Sequence, residues 1–92
     1  MSYDIRILPQ AQADIERHRK AGDASAIRKI QRLLGELADD PRGGTGRPKQ
    51  LKGDLSGYYS RRITQKHRLV YAIEDEIVTV VVVSAYDHYG DR

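Results

Sequence analysis

Ninety-two residues are enough for one compact domain with a modest core and too few for two. The absence of cysteine excludes disulfides and thiolate metal sites, and 39% apolar residues argue for a globular rather than a disordered chain. Net charge is only +3, yet eight basic side chains face a single acid, Asp54, between Pro41 and Arg68. The rest of the chain carries eight basic and twelve acidic side chains. A field polarised in this way recruits polyanions, so nucleic-acid binding is expected; the bland alternative is a charged edge that only keeps the protein soluble.

Tyr3 to Leu8 alternates Tyr3, Ile5 and Ile7 with Asp4 and Arg6, the pattern of a short strand. Pro9 suits the first turn of a helix, which would run to about Ala21 with Ala11, Ile15 and His18 inward. Gly22-Asp23 breaks it. A second helix is expected from near Ser25, a candidate N-cap, with Ile27, Ile30, Leu34 and Leu37 at helical spacing and a stop at Asp39-Asp40-Pro41. Gly43, Gly44, Gly46 and Pro48 mark Arg42 to Lys52 as a loop. Three strands should follow: Tyr58 to Ile63, His67 to Glu74, and Ile77 to about Tyr86, joined at Thr64-Gln65-Lys66 and Asp75-Glu76. The last is β-branched almost throughout, as for a central strand buried on both faces. The order β-α-α-β-β-β predicts an α+β fold over residues 1–92: a helix pair on one face of a small, mainly antiparallel sheet, with the other face open.

The first twenty residues hold no apolar stretch resembling a signal peptide, and no run approaches the length of a membrane span, so a cytoplasmic protein with no membrane partner is expected. Cutting RNA without a metal needs a base for the 2′-hydroxyl, cations for the phosphorane and an acid for the leaving 5′-oxygen. No His and carboxylate set stands at ligand spacing, so neither a metal nor another cofactor is expected. His88, just past the last strand, is the best acid–base candidate, because an unperturbed imidazole titrates near the working pH; the alternative is a surface histidine on a frayed tail. Strand alternation puts Arg68 with Val70 and Ala72 on one face and Leu69, Tyr71 and Ile73 on the other. If the second set meets the helices, Arg68 looks out from the open face, where a guanidinium could hold a phosphate; a solvated edge arginine is the alternative. His67 shares the face of Leu69 and reads as structural, and His18 as inert. Arg61 and Arg62 point to opposite faces, so at most one shares a surface with Arg68. Tyr58, Tyr59, Tyr86 and Tyr89 could stack on bases, although packing is the commoner fate of any one tyrosine.

The segments G-x-P-x-x-L-K from Gly46, LSGYYSRRI from Leu55, HRLVYAI from His67 and the closing SAYDHY resemble the YoeB/Txe family of RelE-like toxins. The resemblance covers nearly the whole chain and agrees with the β-α-α-β-β-β order. It implies the toxin of a type II toxin–antitoxin system: a metal-independent, ribosome-dependent endoribonuclease that cleaves the messenger codon in the A site by transesterification through the 2′-hydroxyl. Implied partners are a cognate antitoxin of YefM/Phd type, the ribosome and messenger RNA, operator DNA only through the antitoxin, and a second copy in a homodimer. By position, Arg68 matches the catalytic arginine, His88 the acid–base histidine and Tyr89 the adjacent positioning tyrosine. Arg47, Lys52, Arg61, Arg62, Lys66 and Tyr59 are the candidate RNA and ribosome contacts.

One position departs from the family pattern. Lys49 stands where the family usually has a glutamate, a proposed general base. Either Lys49 stabilises phosphate charge and the acid–base work is redistributed, as in the base-rich site of RelE, or activity is weakened and the chain persists as an antitoxin-binding co-repressor. A gyrase poison of the ParE kind is the other reading, disfavoured by His88-Tyr89 and the SRRI and HRLVY segments.

Overall fold

The structure, a computed structural model, describes residues 2–44, 48–77 and 79–86. Strand β1 (Asp4–Ile7) leads into helices α1 (Pro9–Lys20) and α2 (Ala24–Asp39). Strands β2 (Lys49–Gln50), β3 (Tyr58–Arg62), β4 (Arg68–Glu74) and β5 (Thr79–Ser84) follow. They form one sheet in the order β1-β5-β4-β3-β2, with β1 parallel to β5 and the other three pairings antiparallel. The two helices cover one face of this mixed sheet, which is the expected α+β architecture.

Each helix end has a local cause. Pro9 stands at N1 of α1, where its missing N–H costs nothing. Helix α1 ends in a Schellman arrangement: Gly22 adopts a φ of 72°, its N–H bonds the Arg19 carbonyl at 3.0 Å, and the Asp23 N–H bonds the His18 carbonyl at 3.1 Å. The cap of α2 is Asp23, whose Oδ1 accepts from the Ala26 N–H at 3.0 Å. Ser25, the expected cap, lies exposed inside the first turn, because Asp23 captures the first orphan donors as soon as Gly22 has turned the chain.

The core gathers Ala26, Ile30, Leu33 and Leu37 of α2, Ala11 of α1, Leu69 and Tyr71 of β4, and Val80 and Val82 of β5. The buried stripe of α2 is turned about one position from the expected one, so Ile27 and Leu34 are only half-buried. The expected division of β4 holds: Leu69 and Tyr71 join the helix-side core, and Ile73 packs against it. Strand β5 is central, but its burial alternates. Val80, Val82 and Ser84 are buried, whereas Thr79, Val81 and Val83 are half-buried, which corrects the expectation of burial on both faces. Within the expected loop, Lys49–Gln50 forms a two-residue strand on β3, too short to leave a periodic signal.

Arg61 is 0% exposed, on the helix face. Its Nε donates to the Tyr71 hydroxyl at 3.0 Å, Nη1 to Glu36 Oε1 at 3.2 Å, and Nη2 to the Asp40 carbonyl at 3.0 Å. The Tyr71 hydroxyl in turn donates to the Pro41 carbonyl at 3.0 Å. Burial pushes this hydroxyl above its ordinary pKa, and the Arg61 guanidinium pulls it part of the way back. Gly44, at φ 95°, lies over the pair; a Cβ there would come within 2.6 Å of Glu36 Oε1 and 2.7 Å of Arg61 Nη1. One guanidinium thus joins the sheet to the last turn of α2 and to the start of the following loop.

A second link is exposed. Arg42 grips Asp75 through both Nη atoms, at 2.7 and 3.3 Å, and Tyr3 donates its hydroxyl to Asp75 at 2.8 Å. The Arg42 hydrogen bond, followed by that of Tyr3, holds the Asp75 carboxyl below the usual carboxylate range.

Two outcomes follow from these links. Arg61→Ala, which removes the donor to the Tyr71 hydroxyl and the buried cation on Glu36 while leaving Arg32 at 3.4 Å on the other carboxylate oxygen, should lower unfolding stability by about 3 kcal/mol in urea titrations. Asp75→Asn tests the exposed link. A depressed folded-state pKa contributes stability above the ordinary Asp value of about 3.9, and loses it as pH falls through the folded value. The variant should therefore melt below the parent at pH 7, by a margin that shrinks in high salt, and the two should converge in acid.

Candidate functional site

The face of the sheet away from the helices, expected to be open, is organised by register, and along one row it is buried: Ser60, Val70 and Ser84 are 0%, 1% and 5% exposed. Lys49 pairs with Ser60, Ser60 with Val70, and Val70 with Ser84, so these four residues form one row across β2, β3, β4 and β5. Neighbouring strands lie about 4.8 Å apart, and directly paired residues share a face. Arg68 reaches into this row. Its Nε donates to Ser60 Oγ at 2.8 Å, and its Nη2 approaches the Ser60 carbonyl at 3.4 Å. Arg68 is only 3% exposed. It lies on the predicted face, but it is a held and shielded guanidinium rather than the outward-looking one expected from alternation.

Arg62 pairs directly with Arg68 on the same face. Like charges opposite each other cost a sheet stability unless they are compensated, and with Lys49 nearby the pair concentrates positive charge at this corner. Lys49 and Arg62 are exposed, as are Lys52 and Lys66 in the flanking loops. Two predicted contacts fall elsewhere. Arg61 is sealed in the core, where RNA cannot touch it, and Tyr59 is stacked on Tyr71 on the helix face with ring centroids 5.8 Å apart. Both follow from their odd-numbered places in β3, which put them opposite in sense to Ser60 and Arg62. Arg47, His88 and Tyr89 lie outside the described residues.

The route of β5 toward the C-terminal segment is set by two devices. Tyr71 pairs with Val82 and Val70 with Ser84, so Val83 is an extra residue, a β-bulge that turns Ser84 onto the open face beside Val70. Ala85 is then fixed by α1: Asp14 Oδ2 accepts its N–H at 2.9 Å, and His18 Nε2 bonds its carbonyl at 2.8 Å. Asp14 and His18 are each 2% exposed. His18 also meets the rings of His67 and Tyr86, each at a centroid separation of 4.8 Å, and Arg17 lies over Tyr86 at 3.7 Å. The structural reading of His67 agrees with this cluster, and Tyr86 packs there rather than on the open face.

Ser60, Asp14 and Gln10 were missed as contributors. Ser60 was within reach of strand alternation, since Tyr58, Ser60 and Arg62 must share the face of Arg68. Gln10, Asp14 and His18 recur every fourth residue, a polar stripe along α1 that an ordinary amphipathic reading passes over. Among the described residues, no group of three or more His, Cys, Asp or Glu side chains could hold a metal ion, and no helix is long and apolar enough to cross a membrane. Asp14→Ala leaves a buried N–H at Ala85 without its acceptor. It should cost about 1–3 kcal/mol and speed amide hydrogen exchange at Ala85 more than at Val80.

The sequence matches the family model described as "YoeB-like toxin of bacterial type II toxin-antitoxin system" over residues 9–89. It is 49% identical over 69 residues to Toxin RelK of Mycobacterium tuberculosis, covering 75% of this chain and 79% of that protein. It is 47% identical over 72 residues to Toxin YoeB of Streptomyces coelicolor, covering 78% and 83%. The fold superimposes on a YoeB/ParE toxin from Agrobacterium tumefaciens with a TM-score of 0.85 at 34% identity, covering 94% of this chain and 99% of that one. It also superimposes on the YoeB dimer of Staphylococcus aureus, at a TM-score of 0.82 and 36% identity over 97% and 100% of the two chains. The toxin chain in the heterotetrameric YoeB-YefM toxin-antitoxin complex of that organism gives 0.79 at 36% identity, again over 97% and 100%. With sequence and fold in agreement, the chain belongs to the YoeB family of toxins from type II toxin–antitoxin systems.

Proposed function

We propose that this toxin is a metal-independent endoribonuclease that cuts messenger RNA at the codon in the ribosomal A site. The observation that carries the reading is the cationic corner in which Arg68 is seated on Ser60, with Arg62 and Lys49 registered beside it. A guanidinium preset by its neighbours and shielded from water stabilises developing phosphorane charge with little reorganisation. In the proposed reaction the 2′-hydroxyl loses its proton and its oxygen attacks the adjacent phosphorus. The bond to the 5′-oxygen breaks, leaving a 2′,3′-cyclic phosphate and a 5′-hydroxyl. His88 is proposed to give the leaving oxygen its proton and Tyr89 to position the substrate. Lys49 is proposed to act as a cation on the phosphate, with proton removal falling to another group of the assembled site. The RNA contacts proposed for this chain are Lys52, Arg62, Lys66 and Arg47; Arg61 and Tyr59 are left out because both pack on the helix face.

The ribosome enters as the scaffold that orients the codon, an effect of many powers of ten when reacting atoms are prealigned. The YoeB-YefM complexes and the YoeB dimer of Staphylococcus aureus support a YefM-type antitoxin as partner and a dimer as an assembly. Lys49 favours one second reading, in which activity is weakened and the chain acts chiefly through its antitoxin.

Primer-extension mapping of a defined messenger in a reconstituted translation system tests the proposal. Cuts inside the A-site codon should require ribosomes, fall by about 10²–10³ in Arg68→Ala, and fall by about 10²–10⁴ in His88→Ala. Intact messenger with unimpaired translation would sink the nuclease reading in favour of the antitoxin-binding one. A Lys49→Glu variant that cuts at the parental rate would remove position 49 from the mechanism.

A further inference from the structure

The row across the open face does not end at Val70. On its β5 side lies a hollow of about 310 Å³, walled by Leu8, Leu55, Val70 and Val83 and edged by Gln10 and Ser84. The bulge creates it, because Val83 and Ser84 are both brought against Val70 where a regular strand would present only one of them. Val70 is the shared wall. The Arg68 guanidinium sits over Ser60, one strand to one side of it, and Ser84 lies one strand to the other. Guanidinium seat and hollow are therefore two strand spacings apart, about 10 Å.

The polar edge is ordered. Gln10 Nε2 donates to Asp14 Oδ1 at 2.8 Å. A carboxylate only accepts, so the nitrogen must face Asp14, which leaves the Gln10 oxygen as the acceptor on the amide's other branch. Ser84, 5% exposed, adds a hydroxyl at the same edge. We propose that this hollow receives a nucleobase carrying an exocyclic amino group, from an RNA strand whose phosphates lie at the Arg68 and Lys49 end of the row. An aliphatic side chain could cover the walls but would offer no hydrogen bond to the Gln10 oxygen or the Ser84 hydroxyl while taking water from them, at a desolvation cost. A base has apolar faces for the valines and leucines and a hydrogen-bonding edge for the amide and the hydroxyl. The positive field of the corner favours a polyanion as its carrier.

This inference rests on the RNA reading, and its test needs no cleavage. Methyl and amide NMR signals of the purified protein would be followed during titration with adenosine monophosphate, uridine monophosphate and ribose 5-phosphate. Adenosine monophosphate should move the Leu8, Leu55, Val70 and Val83 methyls, while ribose 5-phosphate should move only signals around Lys49 and Arg68. Uridine monophosphate, which lacks the amino group, should bind more weakly by about fivefold, the worth of one hydrogen bond. Gln10→Leu, at an exposed position, should erase that difference and keep the ribose 5-phosphate response. Methyls that stay put under adenosine monophosphate overturn the proposal, whether or not Lys49 responds. So do methyls that answer only to a peptide of alternating Asp and Leu, which would assign the hollow to a protein partner. Messenger cleavage with silent methyls would overturn the subsite alone; a methyl response without cleavage would overturn the nuclease reading alone.

Discussion

A guanidinium wholly withdrawn from water governs both faces of this sheet. Arg61 is tolerated in the core because Glu36, the Tyr71 hydroxyl and the Asp40 carbonyl meet its donors; an unmatched charge there would cost several kcal/mol. Strand alternation then leaves no choice for its neighbours. With Arg61 committed to the helices, Ser60 and Arg62 must face the other way, and Arg68, paired across from Arg62, finds its seat on Ser60. A one-residue slip of β3 would bury Arg62 and bring Arg61 out, dissolving core and cationic corner together.

The bulge at Val83 makes a comparable decision for β5. Up to Val82 the strand feeds the core, and beyond it the backbone is redirected so that Ser84 joins the open face while Ala85 returns to the hold of Asp14 and His18. Helix α1 uses polar residues where a helix on a sheet ordinarily uses apolar ones, because its task at this point is to bind the backbone of one residue rather than to bury area. Asp14 and His18 satisfy both hydrogen-bonding groups of Ala85, a specification that a leucine pair could not supply.

Element order, helix placement and the division of β4 between its faces were legible in the residues, since these depend on periods of two and 3.6 that short windows reveal. So was the face that Arg68 shares with Val70 and, through its pairing, with Arg62. The rest depends on information that no window holds. Strand β2 exists only because β3 offers Lys49 and Gln50 an edge, the bulge is visible only against its partner strand, and Asp23 outcompetes Ser25 for the cap through the geometry of Gly22. Exposure was the least legible property. Alternation assigns Arg61 and Arg68 to faces but does not say that the first is sealed by Glu36 or that the second is shielded.

The pairing of Arg62 with Arg68, with Lys49 close by, has a thermodynamic consequence beyond recognition. The folded chain gathers three cations at this corner, and a polyanion that meets them together binds the native state more tightly than the unfolded chain, which disperses the same charges. Such a ligand is then also a folding ligand, raising stability by mass action in proportion to the logarithm of its concentration over its dissociation constant. RNA and an acidic protein segment would draw on the same cations. The uncomplexed protein would consequently be its own least stable native form, the one from which unfolding and proteolysis proceed most readily.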